Sequence, residues 1–266
     1  MLLIKKYYAG GFVIETALSF SFFLECNEKT NTVWKTGKLS NSVDAIFHQV
    51  FNIAKIAISD NDSVTIEMLT EENEENLNFI AIHILGLHSQ KHQRLPLHAT
   101  AILHEGQAIL FTGLSGSGKS TCVKLLAEKG FTVISDEIAP LYSVNNVTYL
   151  LPACQAVYSA PLNTERRKSW EHLPNKINEK SIPVKSIYLL QFEQGKPKIS
   201  SINSLNAIRV LQENHFKPFI KWDKDSNLMR YNLCTEIMKN CSIKSFTRER
   251  NVDSIEEAMN LLIEDL

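Results

Sequence analysis

Apolar positions along this chain switch repeatedly between a period of two and a period near 3.6. Phe12-Val13-Ile14-Glu15-Thr16 and Ser63-Val64-Thr65-Ile66-Glu67-Met68-Leu69 alternate as half-buried strands do. Between them, Ile46, Val50, Ile53, Ala54 and Ala57 recur at helical spacing, which predicts a helix over Val43 to Ala57. The acidic run Glu71-Glu72-Asn73-Glu74-Glu75 reads as a solvated loop. Gln90 to Pro96 is polar and ends in proline, the mark of a junction. The pattern predicts a small N-terminal α/β domain over 1–95 and a larger domain over 96–266.

In the larger part, Ala99 to Leu103 and Ala108 to Thr112 are short apolar runs separated by His104-Glu105-Gly106-Gln107. This is a hairpin whose second strand runs into Gly113. A helix follows from Lys119 to Lys129, closed by Gly130, and Phe131 to Ser135 is a strand ending at Asp136-Glu137. Asn163-Thr164-Glu165 reads as the start of a helix carrying Arg166 and Arg167. Val184 to Phe192 is a buried strand, Asn203 to Glu213 and Ser226 to Lys239 are helices, and Ser242 to Thr247 is a strand. A last helix opens on a capping box of Ser254 with Glu257 and carries an apolar stripe through Ile255, Met259 and Leu262. The alternation assigns the α/β class.

Composition narrows the partners. Hydrophobic residues make up 44% and charged residues 21%, and the formal net charge is -1. No strong field points to nucleic acid or to an anionic membrane. The apolar run Ala17 to Leu24 is too short to cross a bilayer, and Met1 to Lys6 lacks a signal-peptide pattern, so a cytoplasmic protein is expected. The five cysteines, Cys26, Cys122, Cys154, Cys234 and Cys241, form no C-x-x-C pair and read as free thiols.

The chemistry concentrates in Gly113-Leu114-Ser115-Gly116-Ser117-Gly118-Lys119-Ser120, a full match to G-x-x-x-x-G-K-[ST]. Glycines let backbone N–H groups turn inward and, with the helix N-terminus, form an anion cradle. Expected nucleotide contacts run through Gly113, Ser115, Gly116, Ser117, Gly118, Lys119, Ser120 and Thr121. Lys119 supplies a charge to the terminal phosphates and Ser120 a hydroxyl to Mg2+. The helix after the loop rises about 16 Å and the returning strand covers about 16 Å. A right-handed crossover therefore sets Asp136 beside the loop, where a carboxylate holds magnesium or accepts a proton from an attacking hydroxyl. Antiparallel pairing brings His98 to the same place, to orient a carboxylate or contact a phosphate. Arg166 is a candidate for stabilising charge on a transferring phosphoryl group.

Leu97-His98-Ala99, the loop with Thr121, Gly130-Phe131 and Ser135-Asp136-Glu137 together resemble the HPr kinase/phosphorylase family. Its members carry a histidine fifteen residues before the first loop glycine and an Asp-Asp pair seventeen residues after the loop lysine, and both spacings recur here. The resemblance implies a P-loop kinase core of the HPr kinase/phosphoenolpyruvate carboxykinase type with a smaller N-terminal α/β appendage. It implies Asp136 as the base that activates a serine hydroxyl, Glu137 as a metal or hydrogen-bonding carboxylate, and His98 as their support. ATP or GTP with Mg2+, and a peptide or protein carrying an acceptor serine, follow as cofactors and partner.

Glu137 departs from the family's second aspartate, and the glycine-rich downstream signature is absent. Leu95-Pro96-Leu97-His98-Ala99 and the overall length look more like the HPr-kinase-like enzymes of lasso peptide biosynthesis, which phosphorylate the C-terminal serine of a precursor peptide. Three alternatives stay open: an adenylylsulfate-kinase-like small-molecule kinase, a phosphoenolpyruvate carboxykinase, and a non-catalytic nucleotide switch. So does a homo-oligomer.

Overall fold

The computed structural model describes residues 4–10, 12–19, 24–25, 28–30, 32–39, 45–154, 156–159, 169–172, 180–216, 224–250 and 255–266. The first part contains β1 (Lys5–Ala9), β2 (Phe12–Thr16), β3 (Leu24–Glu25), β4 (Thr32–Thr36), β5 (Ala45–Val50), β6 (Ala54–Ser59) and β7 (Val64–Met68). Among the described residues they form one sheet in the order β3-β1-β2-β4-β7-β6-β5. The helix α1 (Glu74–Lys91) packs on it through Ile80, Ile84 and Leu87, which share a core with Trp34, Ile56 and Ile66.

The helix predicted over Val43 to Ala57 is instead, from Ala45 on, the hairpin β5–β6. Its apolar residues fit a helical wheel, but Ala54, Ile56 and Ile58 are all buried along one face of β6, a period of two. β-branched residues and the turn at Phe51-Asn52-Ile53 override the coincidence. The acidic run is a loop only in its first half. Asn73 caps α1, accepting from the Asn76 N–H at 2.9 Å, and Glu74 and Glu75 occupy the first turn, where the helix dipole favours them. The body of α1 is apolar nearly all round, so it shows no amphipathic stripe.

The second part begins with β8 (Leu95–Leu97), β9 (Ala99–His104) and β10 (Gln107–Thr112). Then come α2 (Lys119–Glu128), β11 (Thr132–Ser135), β12 (Ala139–Val144), β13 (Val147–Leu150), β14 (Ala156–Ser159) and β15 (Ser169–His172). The chain continues with β16 (Ile182–Phe192), β17 (Lys198–Ser201), α3 (Ser204–Glu213), α4 (Lys224–Asn240), β18 (Ser242–Arg248) and α5 (Ile255–Asp265). The helix start at Asn163, with Arg166 and Arg167, and the cap at Ser254 lie outside the described residues.

The central order is β11-β9-β10-β16, with β18 on the far side of β16. β10, β16 and β18 are mutually parallel. β11 and β10 both run antiparallel to β9, so β11 points the same way. The carboxyl ends of these four strands therefore share one edge, the usual place for a ligand in an α/β sheet. Both faces are covered: Ala108 and Leu110 pack with α3 and α4, while Ile109 and Phe111 pack with α2 and α5. The mixed α/β class stands. The two parts also share a core, since Ile138, Ala153 and Cys154 join the cluster around α1. Cys122, Cys154, Cys234 and Cys241 are buried outside any disulfide, and Cys26 lies outside the described residues. Among the described residues no helix is long and apolar enough to cross a membrane.

His88 gives this core an acid sensitivity. Its ring is buried, 4.7 Å from Phe12 and 6.3 Å from Trp34, and burial lowers its pKa to about 4. As pH falls below the ordinary value near 6.5, the unfolded chain takes up the proton first. Stability is then lost between pH 6.5 and about 4. His88→Phe is expected to keep on the order of 3 kcal/mol that the native chain loses at pH 4, read from melts at pH 7 and pH 4. An acid loss equal to the native chain's would reject His88 as its source.

Candidate functional site

β10 delivers Gly113 at the common edge, and α2 leaves it at Lys119. The intervening loop has three left-handed glycines, Gly113 (φ 144°), Gly116 (φ 83°) and Gly118 (φ 87°). At Gly113 the requirement is also spatial. A Cβ there would sit 2.7 Å from the Leu190 carbonyl oxygen and 2.8 Å from Ser117 Oγ. The loop closes with the Ser117 N–H donating to the Leu114 carbonyl at 3.0 Å. The ammonium of the buried Lys119 donates to the carbonyls of Gly113 at 2.9 Å and Leu114 at 3.3 Å, which holds it across the loop.

Asp136 follows β11 directly and is 0% exposed. Its Oδ1 accepts from the Glu137 N–H at 2.9 Å and lies 3.5 Å from Ser120 Oγ, and its Oδ2 accepts from the Tyr158 N–H at 2.9 Å. Its own N–H donates to the Cys154 carbonyl. Burial raises its pKa far above the carboxylate range, and the Glu137 charge pushes the same way, against the hydrogen bonds from Tyr158, Glu137 and Ser120. Glu137 itself is strained, at φ 64° in a three-residue turn closed by the Ile138 N–H on the Asp136 carbonyl at 2.8 Å. This is the costly hand of the γ-turn, and such strain collects at functional sites.

His98 stands just before β9, whose Ala99 pairs with Thr112. Thr112 Oγ1 donates to the His98 carbonyl at 2.9 Å. His98 Nδ1 lies 2.9 Å from the Glu137 carbonyl, a contact only an N–H satisfies, so Nδ1 carries the proton. Glu137 Oε2 is 3.8 Å from the same nitrogen.

Arg248, at the end of β18, was not singled out by sequence. It is 5% exposed, its guanidinium lies 4.6 Å over the Phe192 ring, and it occupies the space a Gly118 Cβ would need. Burial depresses its pKa, and among the described residues no carboxylate lies within ion-pair range. A buried cation beside a helix N-terminus and Lys119 is an arrangement that an anion stabilises.

The family model described as ScmC, SynChlorMet cassette protein ScmC, matches residues 64–243, well over half of the chain. The chain belongs to this family. The matched stretch runs from β7 into β18 and contains His98, the glycine loop and Asp136-Glu137. None of the curated proteins matches the chain. Among solved structures, one titled "Structure of the Hpr(Ser) kinase/phosphatase from Coxiella burnetii" aligns at 12% identity over 64% of this chain and 95% of that one, with a TM-score of 0.36.

The residues present fit a magnesium nucleotide. Among the described residues Ser117 Oγ is buried with no hydrogen-bond partner, and Ser120 and Asp136 place hard oxygens together. Among the described residues no group of three or more His, Cys, Asp or Glu gathers as a metal site. Magnesium takes one or two carboxylates and completes its shell with phosphate and water oxygens.

The structure thus brings His98, Gly113, Lys119, Ser120, Asp136 and Glu137 to one edge. Ser115 and Gly116 are exposed on the loop, and Thr121 lies in the first turn of α2. Arg248 has no motif. Only its position at the end of a parallel strand marks it, and that needed the strand order.

Proposed function

We propose that the chain is a nucleoside-triphosphate-dependent kinase that transfers the γ-phosphate to a serine hydroxyl of a peptide or protein. One observation carries this reading. A buried carboxylate, Asp136, sits 3.5 Å from the loop serine, Ser120, at the edge where the loop's lysine also lies. A switch needs a phosphate cradle, whereas a base beside it is what hydroxyl attack requires.

In this reading Gly113 to Thr121 hold the phosphates, and Ser120 with Glu137 holds Mg2+. When bound, the magnesium nucleotide supplies an activated phosphoryl group. Asp136 accepts the hydroxyl proton as the serine oxygen bonds to the γ-phosphorus. The bond from that phosphorus to the bridging oxygen breaks, and the nucleoside diphosphate leaves. His98 fixes the strained turn that aims Glu137. A cavity of about 560 Å³ beside the loop, lined by Phe192, Arg209 and Arg250, gives room for the nucleoside. A lasso-type precursor peptide ending in serine is the first acceptor to try.

The test supplies labelled ATP or GTP to three acceptor mixtures: serine peptides, adenylylsulfate, and none. Label in phosphoserine supports the reading. Label in the adenylyl product would replace the peptide by a small molecule.

Arg248 is assigned to the bound phosphates or the base edge above Gly118. Arg248→Ala is expected to weaken nucleotide binding about 10- to 100-fold, since a hydrogen bond to a charged group contributes about 1.5–3 kcal/mol. Arg248→Lys, which loses the planar stack on Phe192, should recover only part. Titration with a fluorescent nucleotide reads both, and affinities equal to wild type would remove Arg248 from the site.

A further inference from the structure

Two cavities flank the glycine loop, and they differ in chemistry. The one assigned above to the nucleoside carries Arg209 and Arg250. The other, about 490 Å³, reaches His98 and Glu137 at one end and is walled by Phe51, Phe79, Ile82 and Phe216. Resting on the kinase reading, we propose that this second cavity receives a bulky apolar side chain of the acceptor, aromatic or branched aliphatic, next to the serine that is phosphorylated.

The wall is preorganised. His83 packs edge-on against Phe51 at 5.8 Å and Phe216 at 5.4 Å and stacks on His48 at 5.5 Å, while Phe79 packs edge-on against Tyr158 at 5.4 Å. Burial lowers the pKa of both His83 and His48, so the imidazoles stay neutral at pH 7. Charge on the lining comes from Glu137 and Glu213, which disfavours acidic neighbours of the serine.

Phe51 points to use rather than packing. It is 67% exposed and sits in the left-handed region, φ 44°, where a bulky residue is rare and costly. The β5–β6 turn could take glycine or asparagine there at lower cost. An exposed aromatic held under strain at the mouth of a cavity is explained by what enters it. The cavity reaches Gly113, Ser115, His98 and Glu137, which border the proposed reaction centre, so its occupant is assigned to the acceptor. Two arms, α1 and the β5–β6 turn, come from the first part of the chain, which gives that part a role in acceptor choice.

The test uses seven-residue peptides with a central serine, flanked by Phe, Leu, Gly, Lys or Asp and degenerate elsewhere. Binding is read by fluorescence anisotropy with a non-hydrolysable nucleotide present, and transfer is read separately. Peptides with Phe or Leu beside serine should bind about 10- to 100-fold tighter than those with Gly, the range expected for burying one large side chain. Phe51→Asp should remove most of that preference without changing nucleotide affinity, and Phe51→Leu should retain it. Equal binding of all peptides, binding of none, or a preference untouched by Phe51→Asp overturns the assignment. An apolar preference in binding with no transfer to any peptide would instead overturn the kinase reading and leave the pocket standing.

Discussion

Asp136→Asn is expected to bind nucleotide within about twofold of wild type and to transfer its γ-phosphate about 10²- to 10⁴-fold more slowly, the range for removal of a general base. The side chain keeps its shape, and an amide still satisfies part of the contacts with Ser120, Glu137 and Tyr158. What disappears is the capacity to take a proton. Burial gives this carboxylate unusual basicity, and nearby Glu137 adds to it. If the rate were unchanged, the proton would have to leave by another route, and Asp136 would be reduced to positioning. Single-turnover transfer, with nucleotide binding measured on the same preparation, separates these outcomes.

Gly113→Val should have the largest effect on the loop itself. A Cβ at this position meets backbone, the Leu190 carbonyl oxygen at 2.7 Å, and φ is 144°. Neither the β16 backbone nor the strand before the loop can yield cheaply. Strain of roughly 1–3 kcal/mol should lower the melting temperature by about 2–12 °C. Nucleotide affinity should fall about 100-fold or more, because the displaced loop no longer presents its N–H groups together. Gly116→Ala is the control. Its Cβ enters open space, so only the cost of φ 83° remains, about 1 kcal/mol. Equal losses in the two variants would show that space at Gly113 is not what matters.

The part of the site near the loop was legible because it is local. A hairpin fixes His98 against Thr112, and one helix with one strand fixes Asp136 against Ser120, so residue counts translate into distances. The strand order was less legible. β11 lies beyond β9 rather than beside β10, and nothing in the counts separates the two arrangements. Arg248 depends on that order, since β18 reaches the edge only by pairing with β16, fifty residues away in sequence. The first part misled for two physical reasons. The β5–β6 hairpin spaces its apolar residues like a helix, and α1 is buried on so many sides that its apolar pattern has no period. The aromatic cavity was hidden with them, because Phe51, Phe79 and His98 come to line one cavity only through the packing of elements distant in sequence.

The fate of the γ-phosphate tests the central claim most directly. Wild-type protein is given magnesium and γ-labelled nucleotide with serine peptides, and the products are separated after one turnover. The expected result is label on serine, absent with Asp136→Asn. Label that stays on the nucleotide, or appears only as inorganic phosphate, would contradict the account.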